Sequence, residues 1–338
     1  RESGCGCSPI FFIYGHGGVA DTWERSEIMP AMTVKDMSDK YFISNDYNTL
    51  SDKSKVDYKY FMNVLLTTKV DGKQIQEYAS KSLTGPQARM AYEQWLDRGV
   101  YMANHVCAVA RKLYSFGMEM GHTNMNPFAT FKRKTVKPRK VVWTQEQITA
   151  FLDAAYSDYK YRSVGLIAQM AYEWCQRIGD MRTLKFECVD LNNCVLNLEQ
   201  SKRGATVHLP ISDTMVAMLQ QQKEDFGFQE YVAPYPRPRN AVYSPFTMQR
   251  LSRYAREVMG LAGLPDELRI ADLRRTGTTE MVEAGVGIAQ IMSVTGHANP
   301  QSVKPYMKNT LASAEYALTE RNKRGTSITS AAKESVYT

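Results

Sequence analysis

Apolar residues recur three and four positions apart through most of the chain, the period of helices with one buried face. Over residues 41–130 the pattern divides into three stretches. Leu50-Ser51-Asp52-Lys53 reads as a helix start, and Tyr58, Phe61, Met62 and Leu65 follow on one face. Ala91, Trp95 and Leu96 lie beyond a break at Gly85-Pro86. Val106, Val109, Ala110, Leu113, Tyr114 and Gly117 form the third stretch, which Gly121 and Asn126-Pro127 end. The pattern predicts an all-helical unit there. Residues 1–40 lack this period. They hold a short β-like patch at Ile10–Tyr14 and a turn at Gly15-His16-Gly17-Gly18, and they read as an appendage.

Residues 141–325 read as a second domain. Thr144-Gln145-Glu146-Gln147 fits a capping box, with Ile148, Phe151, Leu152 and Ala155 on one face. Val164, Ile167, Met170, Ala171 and Trp174 mark the next helix. The period then changes to two. Val195–Leu198 and Thr206–Leu209 flank Ser201-Lys202-Arg203-Gly204, which predicts a hairpin. Pro234, Pro236 and Pro238 mark an extended loop. Helices resume near Pro245, where Arg250, Arg253 and Arg256 form a stripe that reads first as a solvated face. Residues 326–338 read as a flexible tail. The fold class is therefore mainly α with a small β-sheet or hairpin, in a helical domain followed by a mixed α+β domain.

Between the two domains lies a run of ten residues, Phe131 to Lys140. Six of them are basic (Lys132, Arg133, Lys134, Lys137, Arg139 and Lys140) and none is acidic. A solvated linker explains this as well as a strap along phosphates does, since a like-charged run repels itself unless a polyanion neutralises it.

Composition narrows the class. The chain has 338 residues, 43% hydrophobic and 23% charged, which excludes wholesale disorder and allows more than one core. A formal charge of +7 suits a polyanionic partner without requiring one. Six scattered cysteines do not make a disulfide framework and suit a reducing compartment. No apolar run approaches the roughly 20 residues of a membrane-spanning helix, so no membrane role is expected.

Candidate chemistry sits in three segments of the second domain. The first is Arg177-Ile178-Gly179-Asp180, at the end of an apolar helix. Alone it is an ordinary ion pair three residues apart. The second is Ala271-Asp272-Leu273-Arg274-Arg275-Thr276, where two arginines open a helix. The third is Thr295-Gly296-His297, with Tyr306 nine residues after the histidine. A lone His or Tyr in such a place is more often structural.

Their order carries more than any one of them. Arg177, a hairpin lysine at Lys202, the Leu-Arg-Arg-Thr around Arg274, Gly296-His297 and then Tyr306 resemble the tyrosine recombinase (phage integrase) family. The resemblance covers about residues 141–320, with the helical unit before it matching the family's core-binding domain in size and position. It implies a tyrosine-recombinase catalytic domain. It also implies a site-specific DNA recombinase that cuts and rejoins DNA through a 3′-phosphotyrosyl link, with no metal and no cofactor. Arg177 and Arg274 would clamp the phosphate, Tyr306 would attack it, Lys202 would protonate the leaving 5′-oxygen, and His297 would donate to the phosphate. Asp180 would orient the site. Residues 1–40 would stand where relatives keep an arm-binding domain.

The expected partners are double-stranded attachment-site DNA, three further copies of the chain in a tetramer, and in some systems a DNA-bending accessory protein. The two domains would clamp DNA from opposite faces. The segment Leu311–Arg324 would either pass between protomers or pack on its own domain. The expected location is the cytoplasm of a bacterial host, at the nucleoid.

The residue types suit the chemistry. Negative charge grows on the non-bridging oxygens during attack, and a guanidinium is permanently charged and forks onto two of them. A phenol is almost wholly protonated at neutral pH and needs a proton acceptor or a cationic site. The chain departs from the family at one position. Ala271 stands where the family usually has histidine, and alanine accepts no proton. The neighbouring Asp272 is no evident replacement, because the family usually has an acid there too. Ala271 leaves open a natural variant that uses water or a neighbour, a substitution made for trapping, a weakened enzyme, and a DNA-binding member acting as a regulator or decoy. A type IB topoisomerase uses a similar residue set. The short spacing from His297 to Tyr306 and the preceding helical domain favour the recombinase.

Overall fold

Helix α1 (Val34–Ile43) starts from Thr33, whose side chain accepts from the Asp36 amide while the Asp36 carboxylate accepts from the Thr33 amide. The helical unit thus begins seven residues before Tyr41, where the periodicity placed its start. Val34, Met37 and Tyr41 are buried. The computed structural model describes residues 31–202, 204–307, 314–315 and 317–323. The β-like patch at Ile10–Tyr14 and the tail at 326–338 lie outside the described residues. So does part of the Leu311–Arg324 segment, whose described residues are helical.

After α2 (Asn45–Asn48), helix α3 (Asp52–Thr67) is capped by Ser51, as the sequence predicts. Strands β1 (Lys69–Val70) and β2 (Lys73–Gln74) pair antiparallel, so the unit is not all-helical. Asp71-Gly72 makes the turn with φ of 49° and 77°, the left-handed conformations that tight hairpins need. Two-residue strands are too short to show alternation, which is why the sequence hides them. Helices α4 (Gly85–Asp97) and α5 (Val100–Glu119) complete the unit. Gly85-Pro86 opens α4 rather than merely breaking the chain. Thr84 caps it, and proline's missing amide is no loss in a first turn. Trp95 is buried and donates to Thr68 at 2.8 Å, and Phe128 stacks beside its ring.

The described residues up to 138 and those from 139 onward form two separate compact units. The basic run divides between them. The Arg111 guanidinium holds the carbonyls of Phe128 and Phe131 at 2.6 and 2.9 Å. The Lys134 amide donates to the Tyr92 hydroxyl at 2.7 Å, and Asn104 donates to the Lys134 carbonyl at 2.8 Å. The side chains of Lys132, Arg133, Lys134, Lys137 and Lys140 are exposed. Arg139 is not free in the same way. Its guanidinium reaches both oxygens of the buried Asp272 carboxylate at 2.9 and 3.0 Å. The segment without such anchors is therefore about 135–138, shorter than the expected 131–140.

In the second unit, α6 (Gln145–Tyr156) starts from the Thr144 capping box and buries Ile148, Phe151 and Ala155. It packs on α7 (Tyr159–Glu173), which is buried along most of its length. A short α8 (Ile178–Met181) follows. Strands β3 (Val189–Asp190), β4 (Val195–Glu199) and β5 (Thr206–Pro210) form an antiparallel sheet in that order. The β4–β5 hairpin matches the sequence reading, and β3 adds a strand too short to be read. Leu196 faces Leu209 and Leu198 faces Val207 on the buried side, while Asn197, Glu199 and His208 point outward. Helix α9 (Asp213–Phe226) follows. Helix α10 (Met248–Leu261) buries Leu251, Tyr254, Ala255, Val258 and Met259. Its arginine stripe has partners within the protein: Arg250 lies over the Tyr235 ring, Arg253 pairs with Glu257, and Arg256 with Asp266. Helices α11 (Leu273–Glu283) and α12 (Ile288–Thr295) close the unit. Among the described residues no helix is long and apolar enough to cross a membrane.

Candidate active site

Four chain segments meet beside the C-terminal end of α7. After Trp174 the backbone turns through Cys175, a non-glycine residue at φ 51°. Gln176 is fully buried and donates to the carbonyls of Trp174 and Val294, both at 2.7 Å. These bonds fix the start of α8, where Arg177 stands as the N-cap. Arg177 donates to Gln200 Oε1 at 2.7 Å and lies 3.7 Å from Asp180 Oδ2. Asp180 is 4% exposed, and its Oδ1 accepts from the amide and the hydroxyl of Ser201, at 3.2 and 2.5 Å. The carboxylate thereby ties the arginine turn to the root of the hairpin.

Gln200 is the centre of this arrangement. It is fully buried, and its Nε2 donates to Gln176 Oε1 at 2.6 Å and to the Thr295 carbonyl at 2.8 Å. One carboxamide thus joins the segments that carry Arg177, Lys202 and His297. Its position also explains Gly296. That residue ends α12 at φ 67°, and a Cβ there would come within 2.5 Å of Gln200 Nε2. Lys202 is exposed in the tip that follows, which closes through the Gly204 amide donating to the Gln200 carbonyl at 2.9 Å.

Arg274 enters from α11 and is 7% exposed. Its Nη2 donates to the Thr295 carbonyl at 2.8 Å and lies 3.2 Å from His297 Nε2, while its Nη1 has no hydrogen-bond partner among the described residues. Burial first, and then the like charge of Arg177, push the Arg274 guanidinium below its ordinary range; Tyr306 and Asp180 act the other way. A buried cation with an unsatisfied donor costs free energy that an anionic ligand would offset. Gly277 allows the approach that puts it there: a Cβ at Gly277 would lie 2.7 Å from both Cys175 Sγ and the Tyr172 carbonyl.

The His297 tautomer follows from its neighbours. The Thr295 hydroxyl donates to the Ile291 carbonyl at 2.7 Å, so its oxygen accepts from His297 Nδ1, also at 2.7 Å. That leaves Nε2 as the acceptor facing Arg274. Tyr306 ends a 3-10 turn (Lys304–Tyr306) anchored by buried Val303. Its ring centroid is 6.1 Å from that of His297, and the Arg275 guanidinium lies over it at 5.1 Å.

The structure therefore brings Arg177, Asp180, Arg274, His297 and Tyr306 into one neighbourhood, with Lys202 on the hairpin beside it. Ala271 is exposed and lines a cavity of about 390 Å³ together with Ile178, Arg256 and Arg269. Asp272 is engaged elsewhere: it accepts from Arg139 and from the Arg269 amide. Its hydrogen bonds hold the Arg139 guanidinium above its usual range. Sequence reading gave no role to Gln176, Gln200, Ser201 or Thr295. Polar residues joined by bonds between distant segments leave no periodic trace. Among the described residues no cluster of His, Cys, Asp or Glu is built to hold a metal ion.

Residues 142–312 match the phage integrase family. A curated relative, tyrosine recombinase XerA of Pyrococcus horikoshii, is 28% identical over 150 residues, covering 43% of this chain. The chain spans half the length of that relative. A lambda integrase dimer bound to a COC′ core site superposes with a TM-score of 0.68 at 18% identity. It covers 83% of this chain and 97% of its own. The Tn1549 transposon integrase in complex with circular intermediate DNA gives 0.68 at 16% identity, covering 85% and 99%. A lambda integrase tetramer bound to a Holliday junction gives 0.68 at 18%, covering 83% and 79%. The catalytic-type unit and the helical unit before it thus share the fold of these integrases, and the chain belongs to the phage integrase family.

Proposed function

We propose that this protein is a site-specific DNA recombinase that breaks and rejoins DNA through a phosphotyrosyl link at Tyr306. The observation that carries the reading is the buried Arg274, with one unsatisfied donor, set beside Arg177, His297 and Tyr306. A phosphodiester bound at the two guanidiniums would offset the like charge that they hold close together. The Tyr306 oxygen attacks phosphorus, the bond to the 5′-oxygen breaks, and Lys202 supplies the proton that the leaving oxygen takes. The phosphoryl group stays on the tyrosine, so rejoining needs no external energy source.

The phenolic proton goes to a neighbour or to water, because Ala271 cannot take it. His297, whose ring centroid lies 6.1 Å from that of Tyr306, is one such neighbour. Once protonated, the same ring donates to a phosphate oxygen beside Arg274. Asp180 holds the Arg177 turn and the hairpin in register rather than touching substrate.

The substrate in this reading is double-stranded attachment-site DNA. Lys132, Arg133, Lys134, Lys137 and Lys140 contact its backbone, and Arg139 braces the catalytic unit through Asp272. Four copies act together, with a DNA-bending accessory protein where the sites require one, in a bacterial cytoplasm. Exposed Leu318 in the helical part of the 311–324 segment supports a role for that segment in assembly. A weakened enzyme remains the second reading, favoured by Ala271.

The test is covalent trapping on candidate attachment-site duplexes nicked near the cleavage point, without metal or ATP. A denaturation-resistant adduct that disappears in Tyr306→Phe is expected. Specific binding with no adduct, and no rescue by Ala271→His, would leave a DNA-binding protein instead of a recombinase.

A further inference from the structure

We propose that Arg275 is a positioning residue for Tyr306, holding the ring in the site before DNA arrives. The inference rests on the reading of Tyr306 as the nucleophile.

Helix α11 presents two successive arginines. Neighbouring helix residues point about 100° apart, so the two side chains do not serve one purpose. Arg274 is buried against Thr295 and His297. Arg275 is half-buried, and its guanidinium carbon lies 5.1 Å from the centre of the Tyr306 ring. Among the described residues it makes no hydrogen bond and no ion pair, and that ring is its partner. Most other half-buried arginines of this unit differ: Arg139 holds Asp272, Arg162 holds Asp225, and Arg177 holds Gln200.

The chemistry of the pair fits the task. A guanidinium is planar and weakly hydrated, so it stacks on aromatic faces as an ammonium does not. Its charge is attracted to the negative face of the ring. Tyr306 needs such a hold. It sits on a 3-10 turn of three residues, whose buried anchor is Val303. Helix α11 packs against that turn, so a side chain from α11 ties the nucleophile to the element that carries Arg274.

The experiment places 3-fluorotyrosine at position 306 of the full chain and records its fluorine resonance without DNA. In the native background the resonance is expected away from the position of the free amino acid. Arg275→Ala should move it toward that position, and Arg275→Lys should leave it in between. An unchanged resonance in Arg275→Ala overturns the proposal. With ordinary tyrosine at 306, Arg275→Ala should slow adduct formation on nicked duplex roughly 5- to 30-fold. Noncovalent affinity and its salt dependence should not change. A parallel loss of affinity and salt slope would make Arg275 a phosphate contact and also overturn the proposal. If the native chain forms no adduct, the reading of Tyr306 as nucleophile fails, while the fluorine shift still decides whether Arg275 holds the ring.

Discussion

Ala271 is the residue on which the proposed chemistry turns. It lies one helical turn before Arg274 and borders a cavity with room for a larger side chain. General acid–base help is worth about 10²–10⁴-fold. Ala271→His is therefore expected to raise the single-turnover rate of adduct formation by about tenfold or more. A time course with no gain would mean that the native site already moves its proton efficiently, by way of His297 or water. Gln200 carries a different load, since it joins three segments from a fully buried position. Gln200→Ala leaves buried partners unsatisfied at a cost of about 1–3 kcal/mol each. It should lower the urea midpoint of the full chain and slow cleavage together. Cleavage slowed with no change in stability would show that Gln200 acts on the chemistry alone. Arg177, Arg274, His297 and Tyr306 were legible in the sequence because their order is a pattern in one dimension. Gln200 was not, because its meaning lies in bonds to residues 24 and 95 positions away.

At the scale of elements, close approach of helices places the paired arginines. Gly277 lets α11 settle against the end of α7, where a methyl group would meet Cys175 and the Tyr172 carbonyl. Gly277→Ala is expected to destabilise the protein by about 1–3 kcal/mol, the usual cost of overpacking. Cleavage should fall while noncovalent DNA affinity stays near native, because the exposed basic side chains are untouched. An alanine variant as stable and active as the native chain would show that α11 shifts without consequence. Most helices here were readable from period and caps: Ser51, Thr144 and the buried faces of α3, α5 and α6 lie where the pattern put them. The missed features have local causes. Helix α1 starts from a Thr-x-x-Asp box, a variant of the usual capping pattern. Strands β1, β2 and β3 have two residues each, too few to alternate.

At the scale of the whole molecule, neighbouring basic residues do different work. The sequence showed one basic run, equally readable as a solvated linker or a phosphate strap, yet Arg139 is committed to Asp272 by a two-oxygen grip. The sequence could not show this, since the partners are 133 residues apart. Replacing Lys132, Lys137 and Lys140 together with glutamine should reduce the slope of log affinity against log salt by about 0.9 for each phosphate that is no longer neutralised. Arg139→Gln should leave that slope unchanged and lower thermal stability instead, because it strands a buried carboxylate. An equal loss of slope from Arg139→Gln would return that residue to the DNA-binding strap.

Tyr306 is proposed to carry the DNA through the reaction, and peptide mapping of the trapped adduct by mass spectrometry checks this. One modified peptide is expected, with a nucleotide 3′-phosphate joined to the Tyr306 oxygen and a free 5′-hydroxyl on the released strand. A nucleotide found on another residue, or joined through a 5′-phosphate, would contradict it.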